Sequence, residues 1–181
     1  MKYKVFAKGK HSIVYISTMK NIRITRKKAR NNKFIKNINK EAMILNLINQ
    51  FNLGPKLIKK GPDYFDYVFV DGQYIKDWIK TASSSSKRTI AKKVLLQCYK
   101  LDKLKITKEE MNHPSKHIII SNKIVLIDFE RAKFTKRPQN VTQFCQYLIK
   151  NEIMKFDRKI LKAYKNDQNY HNFRKVLKMI K

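Results

Sequence analysis

The spacing of apolar positions changes along the chain and divides it into a strand-rich first part and a helix-rich remainder. Residues 3–26 read as strands. The β-rich runs Tyr3–Phe6 and Ile13–Ile16 are joined by Ala7–Ser12, a polar link containing Gly9, which predicts a hairpin. Asn21–Arg26 alternates apolar and polar, predicting a half-buried strand whose cations form a solvated face. Residues 35–51 take up helical spacing through Ile44, Leu47, Ile48 and Phe51, and Gly54-Pro55 ends the helix. Strands return over residues 57–70 around a Gly61-Pro62-Asp63 turn, and a helix starts at Tyr74–Ile79. Residues 67–72 are therefore a natural hinge between residues 1–66 and 73–181.

In the remainder, Ser83–Ser86 is a polar stretch able to N-cap a helix over residues 87–104. That helix turns Ile90, Val94, Leu95, Cys98, Leu101 and Leu104 inward. Thr107–Glu110 has capping-box spacing, with Thr107 at the N-cap and Glu110 three residues on. A polar loop, Met111–His117, leads into two β-branched runs flanking Ser121-Asn122-Lys123, which read as a hairpin ending at Asp128. Beyond Lys136-Arg137-Pro138 the pattern is helical to the end, with core candidates Phe144, Cys145, Leu148, Ile149, Ile160, Leu161, Tyr164, Phe173, Val176, Leu177 and Ile180.

Composition narrows the setting. Hydrophobic residues make up 43% of the 181, enough for a core. No apolar run reaches membrane-spanning length, and the Lys-rich start lacks the apolar stretch of a signal peptide. The two cysteines, Cys98 and Cys145, have no metal-ligand spacing, so a reduced, cytoplasmic setting with both thiols packed as small hydrophobes is expected. The net charge is +29, and residues 1–60 carry 16 basic side chains against one acid, Glu41. Such a field attracts polyanions: nucleotide, nucleic acid or an acidic protein. Coding bias or thermal adaptation accounts for the lysines equally well, since no aromatic-basic nucleic-acid motif is present.

Three residues carry candidate chemistry. Asp128 ends an apolar strand, where its carboxylate points out of the core and can hold a divalent cation against phosphate oxygens; capping a turn is the plainer role. Glu41, alone among cations, can pair with a strand cation that positions phosphates, or simply favour the dipole of its helix. The backbone around Gly9 can cover phosphates or merely turn. Zinc ligation by His113 and His117 is disfavoured, because Pro114 breaks the helix that would put both on one face.

The order of these features resembles a protein kinase. Specifically, Lys40-Glu41-Ala42 through Gly54-Pro55-Lys56-Leu57-Ile58, Glu109-Glu110-Met111 through Pro114 to Lys116-His117-Ile118, and Ile127-Asp128-Phe129-Glu130-Arg131-Ala132 resemble the small archaeal predicted serine/threonine protein kinases. These are relatives of the RIO and aminoglycoside-phosphotransferase groups. The resemblance covers nearly the whole chain and implies an α+β, bilobal protein-kinase-like fold. Its β-rich N-lobe with one helix would span residues 1–66, with a compact, mainly helical C-lobe over 73–181. It implies ATP and Mg2+ as cofactors. Gly9 would cover the phosphates, and Glu41 would pair with the nucleotide-binding lysine. Backbone groups of residues 67–70, Val68 and Val70 among them, would meet adenine. Asp128 would bind Mg2+, with Glu130 standing where many kinases have glycine.

The chain also departs from that family. Thr25 or Arg26 falls where the nucleotide-binding lysine belongs, with Lys27 next, and strand alternation favours Arg26. Asn112 stands in the place of the catalytic aspartate and His117 in that of the metal-binding asparagine. Asn112 cannot take a proton; His117 can accept one or ligate metal, and Glu110 can substitute as the base. About a dozen residues separate Asp128 from the next helix near Val141, too few for a conventional activation segment. The expectation is an ATP- and Mg2+-dependent phosphotransferase, an atypical serine/threonine protein kinase with an acidic protein substrate. The alternatives are a catalytically weak kinase-like module on RNA or a ribonucleoprotein, and a small-molecule kinase.

Overall fold

Why the first unit folds as it does can be followed from its turns. In the computed structural model, which describes residues 2–181, β1 (Lys4–Lys8) and β2 (Ser12–Met19) pair antiparallel. The Gly9 N–H donates to the Ser12 carbonyl at 2.8 Å to close their link. Lys20 and Asn21, both at positive φ, form a two-residue turn of the kind that matches strand twist. It feeds β3 (Ile22–Ala29), which pairs with β2 in unbroken register. A 3-10 turn at Asn32–Phe34 leads to α1 (Ile35–Asn49), and β4 (Leu57–Lys60) and β5 (Tyr64–Val68) complete a five-stranded antiparallel sheet in the order β1-β2-β3-β5-β4.

Helix α1 lies on β3, β4 and β5 and buries Ile38, Ala42, Ile44, Leu45 and Ile48. Phe51, counted into the helix on its spacing, lies beyond its end at Asn49 and is 41% exposed. The Asn49 side chain pins the exit from α1, donating to the Leu53 and Pro55 carbonyls and accepting from the Leu57 N–H. Gly54 sits there at φ +71, and a Cβ would come within 2.8 Å of Leu45 Cδ1 and 3.4 Å of Phe129 Cε2. The chain folds as two compact units, Met1–Asp71 with Val125–Arg131, and Gly72–Ile124 with Ala132–Lys181.

In the second unit β6 (Gln73–Tyr74) leads into α2 (Ile75–Thr81), followed by α3 (Ser84–Lys103). Ser83 caps α3 by accepting from the Ser86 N–H, and Val94, Leu95, Cys98 and Leu101 are buried on its inner side. β7 (Ile106–Thr107) follows, then β8 (Ile118–Ile120), which pairs antiparallel with β6. The turn expected at Ser121–Lys123 forms, with the Ser121 N–H donating to the Lys123 carbonyl. β9 (Ile124–Leu126) carries the chain to the first unit, and β10 (Lys133–Phe134) pairs antiparallel with β7. Helices α4 (Asn140–Lys150), α5 (Arg158–Asn166) and α6 (Tyr170–Leu177) complete it.

The capping box at Thr107 does not form. Thr107 belongs to β7, and Glu109 and Glu110 take φ of 63° and 57°, where a right-handed helix cannot start. Among the described residues no helix is long and apolar enough to cross a membrane.

A buried polar knot organises this unit. The Asp102 carboxylate, fully buried at the end of α3, accepts from the Asn140 and Val141 N–H groups, the Asn140 side chain and the Tyr164 hydroxyl. It thereby caps α4 from another helix. Burial raises the Asp102 pKa, against the pull of these donors. Burial likewise pushes the Cys145 thiol up to about 12 and the Cys98 thiol well above its usual range, so both are inert.

Replacing Gly54 by alanine is expected to lower unfolding free energy by about 1–3 kcal/mol, from overpacking against Leu45 and the left-handed backbone. Urea unfolding of the variant against the parent measures it.

Candidate functional site

Strand alternation places Thr25, Lys27 and Ala29 on one face of β3 and Ile24, Arg26 and Lys28 on the other. The Lys27 ammonium lies 2.8 Å from Glu41 Oε2 and 3.1 Å from Oε1. It also donates to Asp128 Oδ1 at 2.8 Å, and lies 3.6 Å from Glu130 Oε2. The Glu41 carboxylate accepts in addition from the Phe129 N–H at 3.1 Å, so one helix side chain holds both the strand cation and the segment bearing Asp128. Phe129 is buried beside Gly54, which anchors that segment. Asp128 itself sits at φ 61°, a left-handed conformation that aspartate tolerates better than most residues. Its side chain is 45% exposed, whereas those of Lys27 and Glu41 are 8% and 5% exposed.

One cation is thus shared by three carboxylates. Ligand oxygens of Glu41, Asp128 and Glu130 lie within 4.8 Å of one another. Burial works against the Lys27 charge, but Glu41 and Asp128 outweigh it and hold its pKa well above the usual lysine value. For Glu41 burial is the larger effect: the ammonium it shares cannot offset desolvation and the neighbouring carboxylates, so its pKa is raised. Burial also raises the pKa of Tyr67, whose hydroxyl bonds Thr25 beside the cluster. His11, on the β1–β2 link, contacts Glu130 through Nδ1 and rests against the Phe34 ring. The link therefore reaches from Gly9, whose carbonyl accepts from Arg30, to the acidic cluster.

The expected partner of Glu41 was Arg26, and the structure corrects this by one residue. Arg26 faces the opposite side of the sheet, where it makes a bidentate pair with the fully buried Asp66 at 2.8 and 2.9 Å. Its guanidinium lies over the rings of Tyr3 and Tyr64. The solvated face expected of the Asn21–Arg26 cations holds for Arg23, which is exposed, but not for Arg26, and the next cation, Lys27, is buried. The sequence signal that distinguishes them is the parity of β3, since a one-residue slip moves every side chain to the other face. Of the residues placed near a base, Val68 ends β5 with its N–H donating to the Lys56 carbonyl, and the Phe69 N–H donates to the Arg23 carbonyl. Val70 follows the strand and is half-buried.

In the second unit Glu110, Asn112 and His117 share one loop. His117 Nε2 lies 3.5 Å from Glu110 Oε2, and Asn112 is half-buried. Residues that drew no attention in the sequence hold this loop in place. Asn140 accepts from the Lys108 N–H at 2.7 Å and donates to the Ile106 carbonyl, while Gln143 accepts from the Met111 N–H. Only their position at the start of α4 could have pointed to them.

No protein-family model matches the chain, and no curated protein matches it. The geometry therefore stands by itself: a buried lysine bridging a helix carboxylate and a strand-end carboxylate, with a third carboxylate beside them.

Replacing Lys27 by methionine leaves Glu41 buried without its cation and is expected to cost about 3–5 kcal/mol. The Lys27→Met/Glu41→Gln double variant should recover part of that loss, as a double-mutant cycle by urea unfolding would measure. Because the Glu41 pKa is raised on folding, the folded protein binds more protons than the unfolded chain above the ordinary value of 4.5. Its contribution to stability is complete below that pH and is lost as pH rises through the folded pKa. Melting temperatures of Glu41→Gln should lack this decline.

Proposed function

We propose that the chain is an ATP- and Mg2+-dependent phosphotransferase, an atypical serine/threonine protein kinase whose two units form a bilobal, protein-kinase-like arrangement. The observation that carries this reading is the bridge from Lys27 on β3 to Glu41 on α1 and Asp128 after β9. A strand lysine fixed by a helix glutamate is the arrangement that presents a cation to nucleotide phosphates in kinases, and an aspartate beside it is the metal-binding partner. Lys27 thus takes the part expected of Arg26.

The donor set fits the cation. Asp128 and Glu130 offer hard carboxylate oxygens, one half-exposed, in a cluster carrying more negative charge than Lys27 neutralises. Bound there, Mg2+ would neutralise charge on the transferring phosphoryl group. The protein's own part is positioning. Lys27 would hold phosphate oxygens, and the Gly9 link would cover them with backbone N–H groups. Backbone groups of residues 67–70, Val68 and Val70 among them, would meet the base, although the Val68 N–H is already given to Lys56. For the proton of the acceptor hydroxyl, the loop residues His117 and Glu110 are the groups able to take it; Asn112 is not. These roles rest on chain order and on resemblance. His117 as a metal ligand has the same basis.

The test is transfer from γ-labelled ATP to the protein itself and to a generic acidic protein. Mg2+-dependent transfer is expected, abolished in Asp128→Ala and reduced at least about 100-fold in Lys27→Met. Transfer that survives Asp128→Ala, or an absence of transfer from the parent protein, would overturn the reading.

A further inference from the structure

Helix α3 carries Lys87, Arg88, Lys92, Lys93, Lys100 and Lys103, and its one acid, Asp102, is buried and committed to Asn140, Val141 and Tyr164. Arg88, Lys92, Leu96, Tyr99 and Lys103 recur at intervals of four, four, three and four residues, which aligns them along one side of the helix. Arg88, Lys92 and Lys103 are exposed, and Leu96 is 42% exposed. At 1.5 Å per residue the stripe is about 22 Å long. Arg88 and Lys92 stand one turn apart without an intervening acid, a like-charge pairing that does not help the helix itself.

The stripe does not end in cations alone. Tyr99 stacks on Phe173 of α6 with ring centroids 4.3 Å apart and planes 12° from parallel. Tyr170, the first residue of α6, lies 6.2 Å from Tyr99 and is 59% exposed. Arg174, one turn along α6, is exposed as well. An outward-facing tyrosine braced by two other rings thus stands at the end of a basic track. The cations alone would serve an acidic protein equally well. A single-stranded nucleic acid uses both, phosphates along the cations and a base on the aromatic face.

We propose that the α3–α6 surface binds single-stranded nucleic acid, with Arg88, Lys92 and Lys103 following the backbone and Tyr170 stacking a base. The surface lies wholly within the second unit and does not depend on the phosphotransferase reading.

The experiment is fluorescence anisotropy of a labelled oligouridylate against salt concentration. Arg88→Gln/Lys92→Gln/Lys103→Gln should lower the slope of log affinity against log salt by about 2. Tyr170→Ala should weaken binding by about tenfold with the slope unchanged. The control removes the same charge elsewhere, as Lys20→Gln/Lys33→Gln/Lys36→Gln, all three exposed in the first unit. Equal losses in control and stripe variants would reduce the binding to the general positive field and overturn the proposal. So would an acidic peptide or heparin that competes equally well whether or not Tyr170 is present.

Discussion

The first unit depends on one buried ammonium. Lys27 is held in a place where an isolated charge is untenable, and it is stable there because carboxylates from α1 and from the segment after β9 close on it. Its bonds to Glu41 and Asp128 reach partners 14 and 101 positions away in the sequence. The carboxylate side is oversupplied, which is why Lys27 is held charged while burial still raises the Glu41 pKa. A cluster in that state has room for additional positive charge, and it lies in a protein that is otherwise strongly basic. On the reverse face of β3, Arg26 pairs with the buried Asp66 and its guanidinium lies over two tyrosine rings, so adjacent residues of one strand brace opposite faces of the sheet.

The second unit is organised by a different device, a buried carboxylate held by neutral donors. Asp102 is satisfied by backbone N–H groups, an amide and a phenol, and through Asn140 it fixes the backbone at Ile106 and Lys108. The loop with Glu110, Asn112 and His117 leaves from that anchor and is tied again at Met111. The positive φ of Glu109 and Glu110 shows how firmly this backbone is held, since neither residue prefers that region.

Much of the fold was legible in the sequence because its punctuation is local. Gly61-Pro62-Asp63, Gly54-Pro55 and the Ser83 cap each act within a few residues, and the turns and helix ends lie at or near them. The capping box failed because Thr107 has a stronger competitor: pairing with Lys133 and the capture of the next N–H by Asn140, neither visible from local spacing. At the site, the lone acid Glu41 signalled that a cation must meet it, and that inference was sound. Which cation was not legible. Arg26 and Lys27 differ only in the parity of a strand that runs three residues beyond its visible alternation. The Asp102–Asn140 knot left no trace, since buried aspartate and asparagine look like any polar pair until the helices are brought together.

The most direct measurement of the central claim is nucleotide binding by calorimetry with a non-hydrolysable ATP analogue, with and without Mg2+, for the parent protein and Asp128→Asn. The account predicts binding that Mg2+ strengthens, with the Mg2+ effect lost in Asp128→Asn. Binding indifferent to Mg2+, or an unchanged Mg2+ effect in the variant, would contradict it.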